Sequence, residues 1–447
     1  MARKYLIETF GCQMNFHDSE RMAGLLEQAG YESTGDALDA DVVVLNTCSV
    51  REHAAEKIFS RLGELRVQGE ETGHRPLIAV AGCVAQQEGE RLLKRAPYVD
   101  VIVGTQAARQ LPVLVDRASV TGRTAIDLNP YEDVSFPLGI VRRSDAVRAW
   151  VTILEGCNDH CSFCVVPYTR GQERMRPKAD ILADIREAVE SGHREVQLLG
   201  QIVNHYQAPD DPTCDFPALL EAVNDVAGVE RIRFASPHPR HVSPRLIDAI
   251  RDLPKVCKHL HLPVQSGSTR MLEAMRRRHT RDQYLELVAR VRQAIPRIAL
   301  STDVIVGFPG ETDRDFDDTL MLAEEVRFHS MFAFKYSERP NTLAAKRMKD
   351  DVSEAEKGRR LTAILDLQRR IQSTLHEAMV GTTCDVLVDS RSRRRSHELA
   401  GRTSGNTVVN FPGQADWVGR TLPVTILRAG PNSLWGEVTI SPDGQFA

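Results

Sequence analysis

Residues 156–164 read Gly-Cys-Asn-Asp-His-Cys-Ser-Phe-Cys, and this short cysteine-rich stretch guides the interpretation of the whole chain. Its cysteines, Cys157, Cys161 and Cys164, are separated by three and then two residues. Three thiolates on one loop can hold three corners of a 4Fe-4S cluster, a cofactor that usually takes four cysteines. The fourth iron then stays open to a cofactor or substrate, like the open position of a catalytic metal.

Two alternatives compete with an iron–sulfur site on this loop. The first is a structural zinc ion with His160 as the fourth ligand, and the second is three thiols without metal. His160 adjoins Cys161, which hinders tetrahedral closure, and structural zinc sites usually use paired ligand spacings. The spacing therefore favours the cluster.

Apolar strands alternate with amphipathic helices on both sides of this loop. Six candidate strands of the central region are Trp150–Leu154, Glu195–Leu199, Arg231–Ala235, His259–Val264, Leu300–Val306 and Met331–Tyr336. Six β/α units are too few for an eight-stranded barrel, so the pattern predicts a partial, open (β/α)6 barrel. The cysteine loop follows the first strand, at the carboxyl edge where such barrels place active sites.

The N-terminal region shows the same alternation. Its predicted strands are Lys4–Thr9, Asp41–Asn46, Pro76–Ala81 and Val99–Val103, and its first predicted helix is Ser19–Ala29. Continuous apolar strands alternating with helices predict an open parallel sheet that is covered on both faces.

Three further cysteines, Cys12, Cys48 and Cys83, each follow one of the first three N-terminal strands. Because the carboxyl ends of parallel strands share one sheet edge, we expect these cysteines to converge there. The alternative is three small buried side chains, since free cysteine is commonly buried.

The C-terminal region changes to short strands with turns between them. They are predicted at Cys384–Asp389, Thr407–Phe411, Leu422–Leu427 and Trp435–Ile440. Such an all-β module predicts a small antiparallel β-barrel. The chain is thus α/β with residues 1–118 as N-terminal domain, 119–147 as linker, 148–378 as central barrel and 379–442 as C-terminal barrel.

Bulk composition narrows the class of protein. The 447 residues carry a formal net charge of -4, so any contact with nucleic acid must use local basic patches. Nine cysteines, an odd number, argue against a disulfide framework in so long a chain. The N-terminus lacks an apolar signal segment, and no apolar run approaches the ~20 residues of a membrane helix. We therefore expect a cytoplasmic protein without a membrane partner.

These parts together resemble the methylthiotransferases of the radical S-adenosylmethionine (SAM) superfamily. The three-then-two cysteine spacing, with Phe163 before the last cysteine, is similar to the superfamily signature. Cys12, Cys48 and Cys83 match the cysteines of a second, auxiliary cluster, and the C-terminal barrel matches the RNA-binding TRAM domain. The resemblance covers nearly the whole chain.

Three short stretches are similar to the branch that acts on isopentenyladenosine in tRNA. They are Cys-Val-Val-Pro-Tyr-Thr-Arg-Gly at 164–171, Asn-Thr-Cys-Ser-Val-Arg at 46–51 and Leu-Gly-Gln-Ile-Val-Asn at 199–204. One departure is Arg-Pro-Asn at 339–341, where Arg-Pro-Gly is expected. The alternatives are a methylthiotransferase for threonylcarbamoyladenosine in tRNA, one for an aspartate of a ribosomal protein, and a non-enzymatic RNA-binding electron carrier.

The resemblance implies the chemistry and the partners. Two 4Fe-4S clusters and two SAM molecules per product are expected. One SAM methylates a sulfur held on the auxiliary cluster, and the other yields the radical that activates carbon 2 of isopentenyladenosine at position 37 of tRNA. Partners are the prenylated tRNA, an electron donor such as a flavodoxin or ferredoxin, and a sulfur source.

The resemblance also implies contact residues. SAM contacts are expected from Phe163, Gly200, Gln201, Gln265, Ser266 and Val306, all near the carboxyl ends of barrel strands, with ordinary packing as the alternative for each. Phosphate contacts are expected from Arg391, Arg393, Arg394 and Arg395. No catalytic residue is expected beyond the cluster ligands. The run Arg276–Arg278 is interpreted as positive charge at a helix end.

Overall fold

Six parallel strands form the N-terminal sheet in a computed structural model that describes residues 2–49, 52–130, 139–392, 395 and 397–439. Their order across the sheet is β2-β1-β3-β4-β5-β6, which confirms the predicted open parallel sheet. The strands are β1 Arg3–Phe10, β2 Tyr31–Ser33, β3 Val42–Thr47, β4 Leu77–Gly82, β5 Val101–Val103 and β6 Ala125–Asp127. The short edge strands β2 and β6 were not predicted, and β6 lies inside the expected linker.

Helices cover both faces of this sheet, which explains why β3 is buried at every position. They are α1 Gln13–Gln28, α2 Glu52–Thr72, α3 Cys83–Glu88, α4 Leu92–Arg95 and α5 Leu111–Thr121. Helix α1 begins six residues before the predicted start at Ser19. Its early residues, which include Asn15, His17 and Asp18, are polar and yet buried, so they show no apolar periodicity.

The central region contains the predicted partial barrel. Its parallel strands lie in two three-stranded sheets, ordered β11-β10-β7 and β12-β13-β14. They are β7 Arg148–Thr152, β10 Glu195–Leu199, β11 Arg231–Phe234, β12 His259–His261, β13 Ala299–Val306 and β14 Ser330–Lys335. A small antiparallel pair, β8 Leu154–Glu155 with β9 Arg174–Met175, brackets the cysteine loop.

Helices pack on the outer face of these strands, against Leu198, Leu260 and Val304 among others. They are α7 Lys178–Glu190, α8 Phe216–Asn224, α9 Pro244–Asp252, α11 Arg281–Ala294, α12 Asp313–Val326 and α14 Glu354–Glu377. Three short helices contribute no residue to this apolar core: α6 Val166–Thr169, α10 Thr269–Ala274 and α13 Leu343–Arg347. Successive side chains of a strand point to opposite faces, so the neighbours of these apolar residues line the barrel interior.

Helix α14 leads into a closed five-stranded barrel, which confirms the predicted C-terminal module. Its strands are β15 Thr383–Arg391, β16 Glu398–Thr403, β17 Val408–Pro412, β18 Thr421–Ala429 and β19 Leu434–Val438. The pairing is antiparallel except between β17 and β19, which run parallel. Strand β16 was not predicted.

The small barrel docks on the amino-terminal ends of the central strands. Arg231 and Arg233 of β11 donate to backbone carbonyls of the small barrel, including that of Thr403 at 2.7 Å. Glu195 lies beneath them and pairs with Arg233 and Arg148. Burial alone opposes ionisation of Glu195, but the two arginine charges outweigh it and lower its pKa to about 2. A buried ionic layer therefore fixes the small barrel to the central one.

Among the described residues, no helix is both long and apolar enough to cross a membrane.

Candidate active site

The first three strands bring Cys12, Cys48 and Cys83 to one edge of the N-terminal sheet. Strands β1, β3 and β4 pair in register at their ends, with Phe10 beside Thr47 and Thr47 beside Gly82. Cys48 follows β3 directly, and its amide donates to the Phe10 carbonyl at 2.9 Å. Cys12 precedes α1, and Cys83 is the first residue of α3. The structure thus brings this triplet together as expected.

Close backbone approach at this edge depends on glycine. Gly82 has φ of 84° and ψ of -155°, a conformation that side chains disfavour, and a Cβ there would lie 2.2 Å from Oδ1 of Asn46. A Cβ on Gly11 would lie 2.8 Å from Cβ of Cys48. Gly11, before Cys12, and Gly82, before Cys83, therefore allow the thiols to converge.

The Cys12 thiol is already acidic in this environment. A hydrogen bond with Cys48 lowers the pKa of Cys12 to about 6, against the opposing effect of burial. Since the thiolate is the form that binds metal, this shift favours metal binding by Cys12.

The second triplet lies on the loop between β8 and α6, at the carboxyl edge of the central barrel. The loop is anchored through Ser162, whose amide donates to the Met275 carbonyl at 3.0 Å and whose carbonyl accepts from the Ala344 amide at 2.8 Å. Gly156 enters the loop with φ of 83°, and a Cβ there would lie 2.0 Å from the Gln172 carbonyl oxygen. Cys157, Cys161 and Cys164 are each partly buried.

Two contacts to this loop were not predicted from the sequence. Arg277 is buried and its Nη1 lies 3.6 Å from Sγ of Cys161, so the middle arginine of the run 276–278 does more than end a helix. Asp159, buried inside the loop, accepts from Arg240 at 2.9 Å. No cysteine spacing points to either arginine, because both come from segments far along the chain.

The donor set fits an iron–sulfur cluster better than a zinc ion. Burial raises the pKa of Cys157 to about 11 and that of Cys164 to about 12, so metal binding must displace their protons. His160, the fourth ligand of the zinc alternative, is exposed. Within the described ranges no three His, Cys, Asp or Glu side chains are arranged to hold one metal ion. That finding concerns a single ion, whereas a 4Fe-4S cluster is held through several irons.

The expected SAM contacts have different surroundings. Phe163 packs against a buried apolar cluster that includes Met271 and Phe308. Gly200 approaches Leu154 so closely that a Cβ would lie 2.7 Å from its Cγ. Gln201 holds Oε1 buried, with no hydrogen-bond partner in the described structure, which leaves an acceptor for a ligand ammonium group.

The other expected contacts follow β12 or end β13. Gln265 is buried with φ of 78°, a strained conformation that is common at binding sites. Ser266 is fully buried, and its hydroxyl accepts from the Ser268 amide at 3.2 Å. Val306 packs on the helix side of β13, so its side chain points away from the barrel interior, and its neighbour Ile305 packs near Phe163 instead.

The two cysteine triplets face a common interface. Helix α6, which starts two residues after Cys164, packs against α3, which starts at Cys83. Arg170, just after α6, pairs with Asp18 of α1 at 2.6 Å. The N-terminal sheet edge and the carboxyl edge of the central barrel are therefore joined at this contact.

Three family models match successive parts of the chain. They are "Uncharacterized protein family UPF0004" over residues 4–104, "Radical SAM superfamily" over 151–323 and "TRAM domain" over 377–439. The relative from Bordetella petrii is 47% identical, covering 98% of this chain and 92% of that protein. The relative from Alkalilimnicola ehrlichii is 45% identical over 98% of both chains. Both are named tRNA-2-methylthio-N(6)-dimethylallyladenosine synthase.

The chain belongs to this synthase family. It is a radical SAM methylthiotransferase. The predicted family and enzyme class are confirmed.

Solved structures share the fold at low identity. The radical SAM methyltransferase TsrM from Kitasatospora setae, determined with cobalamin and a 4Fe-4S cluster, aligns with a TM-score of 0.56 at 14% identity, covering 77% of this chain and 74% of that one. OxsB, determined with aqua-cobalamin and SAM, aligns with a TM-score of 0.51 at 12% identity, covering 83% and 56%. Both likenesses support the fold.

In this synthase a cleft of about 830 Å³ opens between the small barrel and the amino-terminal end of the central one. Five arginines line it: Arg148, Arg391, Arg395, Arg402 and Arg428. The guanidinium of Arg428 lies 4.2 Å from the ring centre of Trp435, which also lines the cleft. Arg391 and Arg395 line this cleft together with the carboxylates Asp145, Asp389 and Glu398. Arg393 and Arg394 lie outside the described residues, and phosphate contact by this run stays a prediction.

Proposed function

We propose that the enzyme attaches a methylthio group to carbon 2 of isopentenyladenosine beside the tRNA anticodon. The carbon–hydrogen bond at that position is strong and not acidic, so acid–base groups cannot activate it and cofactor chemistry is required. The observation that carries the proposal is the packing of α6 on α3, because it joins the segments that hold both cysteine triplets.

In this proposal each triplet holds one 4Fe-4S cluster. Cys157, Cys161 and Cys164 bind the cluster that engages SAM, and Cys12, Cys48 and Cys83 bind the auxiliary one. When bound, these groups supply a radical able to break the carbon–hydrogen bond and the sulfur that is transferred.

The protein's own side chains orient the cofactor and the base. Oε1 of Gln201 is the acceptor proposed for the methionine ammonium of SAM, since it is buried without a described partner. Phe163 presents an apolar surface for the adenine. The strained backbone of Gln265 supports its assignment as a ligand contact. The target nucleotide must leave its stack to reach this edge.

Other partners follow from the chemistry. The groups that the two triplets would hold require a one-electron donor, such as a flavodoxin or ferredoxin, and a separate source of sulfur. Both act, with the tRNA, in the cytoplasm.

Anaerobic reconstitution followed by turnover tests the proposed reaction. We expect 2-methylthio-isopentenyladenosine, identified by mass spectrometry, when SAM, a reductant and prenylated tRNA are present together. Unprenylated tRNA, threonylcarbamoylated tRNA and ribosomal protein are the comparison substrates. A preference for either of the last two overturns the substrate assignment. The absence of 5′-deoxyadenosine with every substrate supports an electron carrier instead.

The basic run that includes the cleft residues Arg391 and Arg395 should bind tRNA phosphates. From Thr383 to Ile440 the chain has seven arginines and five acidic residues, 7 − 5 = +2, against -4 for the whole chain. Replacing Arg391, Arg393, Arg394 and Arg395 with glutamine should weaken binding to all tRNAs alike, because phosphate contacts carry no sequence information. The slope of log affinity against log salt should become shallower by up to about one unit per lost contact.

A charge-matched variant provides the control for this basic run. Arg251, Arg314, Arg359 and Arg369 are exposed on α9, α12 and α14 of the central domain. Replacing these four with glutamine removes the same charge but should leave the salt slope unchanged. Equal slopes for the variant of the basic run and the wild type would instead assign Arg391 and its neighbours to ordinary surface charge.

A further inference from the structure

Arg170 belongs to the central domain but places its side chain at the N-terminal cysteines. It directly follows α6 and is 3% exposed. Its Nη2 donates to Oδ2 of Asp18 at 2.6 Å, and Asp18 lies on α1, the helix that begins just after Cys12. A buried charge is costly unless it is paired, so this side chain is held by its partner across the domain boundary.

The backbone at Arg170 is held from the same side. The hydroxyl of Thr105 donates to the carbonyl of Thr169, and Nε2 of Gln106 donates to the carbonyl of Arg170 at 2.8 Å. Both donors follow β5 of the N-terminal sheet. The N-terminal domain therefore holds both the side chain and the main chain of Arg170.

Nη1 of Arg170 takes no part in the ion pair with Asp18. Nη1 is buried and has no hydrogen-bond partner in the described part of the chain. A buried donor left unsatisfied costs free energy, and such groups call for a specific explanation.

Arg170 lies where the segments of the two cysteine triplets meet. It directly follows α6, which packs against α3, and Cys83 is the first residue of α3. The side chain of Arg170 interacts with that of Cys83. The guanidinium therefore lies beside a thiol that the proposed function assigns to the auxiliary cluster.

A cluster held by three thiolates is anionic, and its negative charge grows by one on reduction. Nearby positive charge and hydrogen bonds to sulfur favour the reduced form. We propose that Arg170 is a positioning residue for the auxiliary cluster. Its Nη1 is directed toward sulfur atoms of the cluster, and its charge stabilises the reduced state of the cluster. This inference rests on the proposed function, since it requires that cluster.

The two triplets then have separate arginines. Arg277 contacts Cys161 within the central domain, whereas Arg170 reaches across to the N-terminal domain. Replacing Arg170 should therefore affect the auxiliary cluster, and replacing Arg277 should affect the SAM-binding cluster. The two replacements form a matched comparison.

The test is a reductive titration followed by electron paramagnetic resonance. The full chain carrying alanine at Cys157, Cys161 and Cys164 reports the auxiliary cluster alone. In that background, Arg170→Gln should lower the ratio of reduced to oxidised cluster at least tenfold at the wild-type midpoint, a shift of about 59 mV for one electron. Arg170→Lys, which retains the charge, should recover part of the shift.

Arg277→Gln in the same background should leave the auxiliary midpoint unchanged, and so should the exposed Arg251→Gln. Loss of auxiliary iron in Arg170→Gln, with iron retained in Arg170→Lys, also supports the inference. An unchanged midpoint with full iron in Arg170→Gln overturns it, as does an equal loss of iron in both variants. If the chain with alanine at Cys157, Cys161 and Cys164 binds no cluster, the proposed function is wrong, whatever the role of Arg170.

Discussion

Alanine at Cys157, Cys161 and Cys164 together should remove about half of the iron and abolish SAM cleavage. These thiols are the proposed ligands of the SAM-binding cluster, and the loop that carries them is held by main-chain hydrogen bonds of Cys157 and Ser162, which alanine leaves in place. The fold should therefore survive while the radical source is lost. Iron and sulfide counts after anaerobic reconstitution, with 5′-deoxyadenosine measured by chromatography, check both parts.

A second cysteine set offers the control. Cys214, Cys257 and Cys384 belong to neither triplet and have no ligand spacing. Replacing these three with alanine should keep full iron and full SAM cleavage. Full iron content in the variant with alanine at Cys157, Cys161 and Cys164 would contradict the assignment of the SAM-binding cluster to that loop.

Alanine at Cys12, Cys48 and Cys83 should separate radical generation from product formation. The loop of Cys157 makes its main-chain contacts to Gly171, Met275 and Ala344, all within the central domain. SAM cleavage should therefore persist at a reduced level, while methylthiolated tRNA falls below detection because the sulfur-bearing cluster is absent. Parallel assays for 5′-deoxyadenosine and for the modified nucleoside measure the two outcomes.

Product formation by that variant would contradict the proposed role of the N-terminal triplet. Complete loss of SAM cleavage, with iron retained on the loop, would show that the two sites cannot be separated. The alanine variant at Cys214, Cys257 and Cys384 again serves as the comparison.

The sequence predicted the strands of the central barrel closely because they are buried on the helix side and bounded by clear turns. The predicted Glu195–Leu199 coincides with β10, and Leu300–Val306 differs from β13 by one residue. The cysteine positions followed from the same pattern, since each lies where a strand ends. Placing ligands at strand ends needs only the order of the elements.

The start of α1 could not be predicted in the same way. The usual signal assumes that buried positions are apolar, but α1 buries Asn15, His17 and Asp18 against other polar groups. Strand β16, Glu398–Thr403, was missed because its sequence lacks regular alternation of apolar and polar residues. Both elements depend on tertiary contacts that a local pattern does not contain.

The arginines at the two triplets illustrate the same limit. Arg170 stands in a stretch quoted for its family resemblance, yet nothing local indicates that its side chain crosses to Asp18. Arg277 is one of three consecutive arginines, and only the fold distinguishes the buried member from its exposed neighbours.

The docking of the small barrel has a consequence for the size of the substrate. It is fixed by Arg231 and Arg233 to the amino-terminal ends of the strands, whereas the cysteine loop leaves their carboxyl ends. A strand of five to eight residues spans roughly 17–26 Å at about 3.3 Å per residue. A free nucleoside is far too short to touch both ends, while a folded RNA stem is long enough. In the proposed function, the arginine cleft binds one point on the RNA, and the distance from this cleft to the cysteine loop then selects substrates that are long enough to reach both.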